Sequence, residues 1–415
     1  MRYLKKPFWL VLLLLVTIVA VVVTSAFVKQ HGESVIYSIR VDNSLTANQD
    51  TKTPKGKDVK TTRGKDTQTE NSAASLRPRI PASLQVSGDQ LFAHVQRLNF
   101  TRQTPAERSR TRAYITTELK KLGWKPQLEK FEDGVNVFAQ RPGTDKNAGA
   151  ILVGAHYDTV YISPGADDNA SGVAVVLEIA RLLGSRPTPR TLQLAFFDKE
   201  EAGLLGSKAF VTNKKHLENL QGVIVMDMVG YACHSPGCQK YPTGLPMTPP
   251  SDQGDFLAVV GDAEHLPLLH AFQNSQMLPP ISFNKASTGD TIESIPPVLT
   301  LPIPLKGLLT PDTLRSDHAP FWYQGVGAVL VTDTANLRTP HYHQPSDVPA
   351  TLDRKFFTGA AQVVVNTTNG LLENSDALGS PASTSPESTS SPIGDAARMP
   401  AARRALTLNS KLRTP

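Results

Sequence analysis

Four short segments of this sequence concentrate side chains able to bind a metal ion or move a proton. The first, Leu152-Val153-Gly154-Ala155-His156-Tyr157-Asp158, ends an apolar run on His156 and sets Asp158 two residues on. A metal-bound imidazole usually donates its other N–H to a carboxylate, which fixes its tautomer. Alone, the segment reads more simply as a histidine at a strand end. The second, Gly165-Ala166-Asp167-Asp168-Asn169-Ala170-Ser171-Gly172, sets two adjacent aspartates before a helical pattern. Asp and Asn make good helix caps, but two aspartates between glycines exceed what a cap needs. One such carboxylate can bridge two cations with its two oxygens. The third, 196–207, runs from an apolar strand into Glu200-Glu201. Paired carboxylates can divide labour, one binding metal and the other moving a proton. The plainer reading is two solvated acids in a first helical turn, which the helix dipole favours. The fourth combines Asp227, at the end of the apolar run Val225-Met226, with the late segment Pro340-His341-Tyr342-His343-Gln344-Pro345-Ser346-Asp347. An extended chain sends His341 and His343 to opposite sides, so one of them is expected to be a ligand.

Each segment follows a strand-like run or lies in a polar loop. In open α/β sheets such positions gather at the carboxyl edge, where ligands bind. Strand-like runs occupy 135–140, 150–155, 192–197, 223–227 and 328–332, with helical patterns at 172–183, 202–211, 266–273 and 354–372. Thr104-Pro105-Ala106-Glu107 is a capping box with proline at the first helical position, predicting a helix to about Leu122. Its apolar positions Tyr114, Ile115, Leu119 and Leu122 recur at helical spacing. Several strand runs are continuously apolar, as strands buried on both faces are. The pattern predicts an α/β fold: a three-layer α/β/α sandwich with a mostly parallel central sheet.

Individually these signals are modest; their order is specific. HxD, GADDNxSG, EEAGLLGS, MDM and YHxPxD, in that sequence, resemble the di-zinc aminopeptidases of metallopeptidase family twenty-eight, whose relatives include glutamate carboxypeptidases and glutaminyl cyclases. The resemblance covers roughly residues 85–371 and implies a zinc-exopeptidase fold of the phosphorylase/hydrolase-like kind. It implies two zinc ions, with His156 and Asp227 on one, Glu201 and His343 on the other, and Asp168 bridging them. It further implies Glu200 as general base and Asp158 as the carboxylate supporting His156. Tyr342 is implied as a hydroxyl that helps hold the oxyanion, because some members carry a tyrosine just before the ligating histidine. Ser316-Asp317-His318 also resembles a family segment, in a supporting role. Two zinc ions about 3.5–4 Å apart can share a water and bring its pKa toward neutrality, giving hydrolysis of peptide substrates from the amino end. A glutaminyl-cyclase-like transferase needs one zinc, whereas both His156 and Asp227 are present here. Carboxypeptidase and dipeptidase activities fit the same ligand set.

The chain has 415 residues and a net charge of +6. That balance belongs to its ends. Residues 1–28 carry Arg2, Lys5 and Lys6 and no acid, whereas 81–371 hold 25 basic and 27 acidic residues. A nucleic-acid footprint on the middle segment is therefore not expected. The uncharged run Pro7–Val28 is 22 residues long, and about 20 apolar residues span a bilayer core as a helix. Residues 1–28 read as a signal-anchor that would put the rest of the chain on the non-cytosolic side. Cleavage after Thr24-Ser25-Ala26, giving a secreted protein, is the alternative. Residues 29–80 read as a polar stalk, 81–372 as the catalytic domain, and 373–415 as a Ser/Pro/Ala-rich disordered tail. The run Ser34–Val41 alternates, but reads as a chance cluster. In an exported chain Cys233 and Cys238, the two cysteines present, are expected to form a short disulfide loop. A metal site on them through His234 lacks a fourth ligand nearby.

Overall fold

The computed structural model describes residues 84–242, 250–276 and 295–378. The expected membrane segment, the stalk and most of the tail lie outside them. No helix among the described residues is long and apolar enough to cross a membrane.

Eight strands form one sheet. In chain order they are β1 (Gln127–Phe131), β2 (Gly134–Arg141), β3 (Ala150–His156), β4 (Thr191–Phe197), β5 (Leu220–Met226), β6 (Leu257–Asp262), β7 (Val298–Ile303) and β8 (Ala328–Thr332). Across the sheet the order is β1-β2-β4-β3-β5-β8-β6-β7. The middle four, β4-β3-β5-β8, run parallel. Antiparallel pairings flank them at β1/β2, β2/β4 and β8/β6. The sheet is thus mixed: the expected parallel character holds at its centre and again in the edge pair β6/β7. There β3 is buried at every residue, which accounts for its unbroken apolar sequence.

Helices cover both faces. On one face Ile151, Val153, Leu194 and Ile224 pack against helices α1 (Gly88–Leu98), α3 (Gly172–Leu183), α6 (Leu266–Gln276) and α8 (Arg354–Glu373). On the other, Leu152, Phe197 and Val225 meet Phe210 of α4 (Leu205–Thr212) and Phe321 and Trp322 of α7 (Ala319–Tyr323). The predicted helix at 105 is α2 (Pro105–Lys121), and its capping box is formed: Glu107 N donates to Thr104 Oγ1, and Thr104 N donates to Glu107 Oε2. A single turn, α5 (Lys214–Leu217), precedes β5.

Several boundaries differ from expectation, three of them near the site or the tail. The helix expected from Ala202 starts at Leu205, because Gly203 (φ 101°) and Leu204 (φ 62°) turn the chain out of helical conformation. The strand expected to end on Asp227 ends on Met226. At the tail, Arg190 Nη2 donates to the Ser375 carbonyl, and Ala377 and Leu378 pack on the core. Helix α1 was absent from the sequence reading, although Ser87 and Gln90 form a Ser-x-x-Gln start before Leu91, Val95 and Leu98. Strand β1 sits at the sheet edge with Glu129 and Lys130, and charged edge strands carry little apolar signal.

Leu152 lies in the centre of the sheet with its side chain fully buried. Leu152→Ala is expected to cost about 2–5 kcal/mol of unfolding free energy, read from the urea midpoint at unchanged slope.

Candidate metal centre

Because β4, β3, β5 and β8 are parallel, their carboxyl ends meet at one edge of the sheet. His156 is the last residue of β3, Glu200 and Glu201 follow β4, and Asp227 follows β5. His343 arrives from the long connection after β8. Asp168 comes from a single irregular turn, Ala166–Ser171, between β3 and α3, in which the Asp168–Asn169 peptide is cis.

The residues predicted from sequence come together. His156 Nε2 lies 3.3 Å from Asp168 Oδ1 and 3.5 Å from Asp227 Oδ1. His343 Nε2 lies 3.2 Å from Asp168 Oδ2 and 3.1 Å from Glu201 Oε2. Two groups therefore form, His156/Asp168/Asp227 and Asp168/Glu201/His343, each compact enough to hold one ion. Asp168 belongs to both, through different oxygens. Glu200 Oε2 is 4.0 Å from His156 Nε2, and the residue is 8% exposed rather than solvated. His341 turns away: its Nδ1 pairs with Ser346 Oγ at 2.9 Å, and its ring packs edge-on against Tyr231.

Asp158 organises the strand ends. Its Oδ1 accepts from Glu200 N at 3.0 Å, its Oδ2 accepts from Glu201 N at 3.2 Å, and His156 Nδ1 faces Oδ1 at 3.5 Å. Adjacent Asp167 and Asp168 have opposite duties. Asp167 Oδ1 accepts from Gly230 N at 2.9 Å, pointing away from the two histidines. The sequence reading gave Asp347 no role, yet its two oxygens accept from Asp167 N (2.9 Å) and Asp168 N (3.1 Å). It was visible as the last residue of YHxPxD. Asn169 ties the same turn to β5, donating to the Met226 carbonyl and accepting from Gly172 N.

Electrostatics fit a cation-binding site. Burial pushes Glu200 well above the usual carboxylate range; His156 opposes this, and Asp227, Asp317 and Glu201 add to it. Burial and then Asp168 push Glu201 up to about 7. Burial alone lowers both histidines, but the surrounding carboxylates prevail: His156 stands well above its ordinary value, and His343 at about 10. Burial works against ionised Asp168, yet His156 and His343 hold it below the usual range. Both ring nitrogens of His156 and Glu201 Oε1 are buried without a hydrogen-bond partner. Imidazole and carboxylate donors of this kind suit zinc, and divalent cations would supply the positive charge these acids lack.

Tyr342 stands at the rim. Its ring stacks on His343 (3.8 Å between centroids) and its hydroxyl accepts from Arg315 Nη2 at 2.9 Å. Beside it and Asp227 opens a cavity of about 180 Å³, walled by Val260, Leu299, Leu301, Ile303 and Leu330. Asp317 is wholly buried near the centre, and burial, with Asp158 and Asp227, raises it to about 7. Cys233 and Cys238 are joined in a disulfide, and His234 between them pairs with Asp353 rather than with a metal ligand.

Residues 136–247 match the family described as Peptidase family M28. The uncharacterized protein YfbL of Escherichia coli is 33% identical over 230 residues, 52% of this chain and 64% of that protein. Aminopeptidase YwaD of Bacillus subtilis is 42% identical over 93 residues, 22% of this chain and 20% of that protein. The chain thus spans less than two thirds of the length of these relatives. The Legionella pneumophila LapA aminopeptidase structure superposes with a TM-score of 0.53 at 19% identity, over 71% of this chain and 74% of that one, a shared fold.

Asp158→Ala, which removes the acceptor for two backbone N–H groups and the partner of His156, is expected to lower zinc affinity roughly 10–100-fold. Chelator competition measures it, and an unchanged affinity would remove Asp158 from the site.

Proposed function

We propose, from the match of residues 136–247 to peptidase family M28, that this chain is a di-zinc aminopeptidase held in the membrane by residues 7–28, with its catalytic domain on the non-cytosolic side. The observation that carries the reading is the two-sided use of Asp168, one oxygen facing His156 and the other His343. A carboxylate so disposed suits a bridging ligand between one ion held by His156 and Asp227 and another held by Glu201 and His343. The anchor rests on the sequence alone.

Bound zinc would supply Lewis acidity, easing deprotonation of a water and polarising the scissile carbonyl. Everything else falls to the chain. Glu200, buried and with its pKa raised, takes the proton of the attacking water and returns it to the leaving amine. Asp158 fixes the His156 tautomer and, through Glu200 N and Glu201 N, orients both glutamates. The Tyr342 hydroxyl accepts from Arg315, which leaves its own proton free to be donated to the developing oxyanion. The apolar cavity beside Asp227 takes the first side chain of the substrate. A cavity of about 150 Å³ accommodates a benzene-sized group, so leucine or phenylalanine fits.

Glu200→Gln is expected to lower kcat roughly 10²–10⁴-fold with zinc content unchanged; undiminished turnover would remove Glu200 as the base. On amino-acid arylamides the protein should prefer Leu and Phe over Asp. Leu301→Arg should lower kcat/KM for Leu by about tenfold or more, the worth of a few buried methylenes, without loss of zinc. Metal analysis giving one zinc per chain, together with pyroglutamate formation, would favour a glutaminyl-cyclase-like transferase instead.

A further inference from the structure

We propose that Arg102 is a positioning residue for the metal centre: its guanidinium fixes the loop 157–168 and so sets Asp168 relative to His156. This rests on the ligand assignment above. Arg102 lies between α1 and α2 and is 0% exposed. Its side-chain contacts in the structure are backbone carbonyls. Nε donates to Tyr157 O at 2.8 Å. Nη1 donates to Pro164 O at 2.6 Å, Leu98 O at 2.6 Å and Phe100 O at 3.1 Å. Nη2 donates to Gly165 O at 2.8 Å and, more weakly, to Asp168 O at 3.4 Å. Arg102 N also donates to Thr159 Oγ1 at 2.8 Å.

Four of those carbonyls come from the start, middle and end of one loop. Tyr157 sits between His156 and Asp158, and the Asp168 carbonyl belongs to the shared carboxylate itself. A planar five-donor fork reaches all of them at once; a lysine ammonium, three donors on a point charge, does not. The loop is shaped to the guanidinium in turn. Gly165 has φ +61°, and a Cβ there would come within 2.6 Å of Arg102 Nη2 and 2.1 Å of Asp168 O. Burial lowers the guanidinium to about 10, with Asp168 and Asp347 opposing, so it stays charged at neutral pH behind the carboxylate cluster.

A structural control exists within the same molecule. Arg190 is as deeply buried, at 1%, and its guanidinium also binds carbonyls: Ala148 O, Leu371 O and Ser375 O. Those carbonyls tie the end of α8 to the residues before β3, and none belongs to a ligand-bearing loop. The test compares Arg102→Lys and Arg190→Lys in the full chain purified in detergent, below both melting temperatures, by chelator competition for zinc and by the visible spectrum of the cobalt-substituted protein. Arg102→Lys should weaken zinc binding about tenfold or more, alter the cobalt band and lower kcat with KM for Leu-arylamide little changed. Arg190→Lys should lower thermal stability and leave zinc affinity and the cobalt band as they were. Equal zinc affinity and an equal spectrum in Arg102→Lys, or an equal loss in Arg190→Lys, overturns the proposal. If Arg102→Lys does not fold, Gly165→Ala, whose Cβ would press within 2.6 Å of Arg102 Nη2 and so displace the guanidinium from the loop, decides it: weaker zinc binding supports the role and unchanged binding refutes it. An unaltered chain that takes up no zinc overturns the peptidase reading, and this one with it.

Discussion

Asp168 faces one histidine with each carboxylate oxygen, and much of the surrounding structure serves to keep it there. The requirement is demanding. Asp168 is buried beside Glu201 and Asp227, where charge is weakly screened, and the two histidines must offset both that repulsion and the lost solvation. The backbone bearing it is therefore held from several directions. Asp347 accepts its own N–H and that of Asp167. Asn169 binds it to the end of β5, and Arg102 gathers the carbonyls leading up to it. Each contact uses backbone groups, so the side chain stays free for its two neighbours.

The parallel centre of the sheet is what makes the gathering economical. Adjacent parallel strands bring their carboxyl ends to one edge, and the register sets His156 opposite Phe197 on β4, with Gly154 opposite Val225 on β5. From that edge a few residues of loop reach Glu200, Glu201 and Asp227. The antiparallel strands on either side add no ligand. Those beyond β8 build the wall of the apolar cavity instead: Val260 comes from β6, and Leu299, Leu301 and Ile303 from β7. Chemistry and the proposed side-chain recognition thus belong to neighbouring parts of one sheet.

How much of this could be read beforehand follows from the range of each interaction. The strand ends were legible, because continuous apolar runs stop on a polar residue. The box Thr104–Glu107 was legible too, because both partners lie within four residues. Asp347 and Arg102 were not. Asp347 acts on a backbone N–H 180 residues away, and Arg102 on carbonyls 55 to 66 residues away. A backbone carbonyl is the same in every residue, so no spacing announces it. Of the adjacent pair Asp167 and Asp168, only the family resemblance singled out Asp168; residue chemistry does not distinguish them. In the structure the irregular turn sends Asp167 to Gly230 N. Strand β7 was obscured by Pro302, which removes a ladder donor and suits only an edge, the place β7 occupies.

The segment before β1 also changes meaning. From sequence, the stretch from Pro105 to about Leu122 is one capped helix on a domain of slightly acidic charge. In the structure its arginines back the centre. Arg108 Nε lies 2.9 Å from Asp198 Oδ1, and Arg112 Nη1 lies 3.4 Å from Asp198 Oδ2 and 2.9 Å from the Tyr157 hydroxyl. Asp198 stands two residues before Glu200, and Tyr157 stands between His156 and Asp158. Arg102, Arg108 and Arg112 therefore act on the two strand ends that bear the histidine and the glutamates, one through carbonyls and two through a buried carboxylate. Most buried ion pairs add little net stability, because desolvation offsets their attraction. Here the gain lies elsewhere: three fixed cations behind the crowded acids help the acids remain close before any metal binds. Net charge, summed along a chain, conceals this sorting of charge by depth.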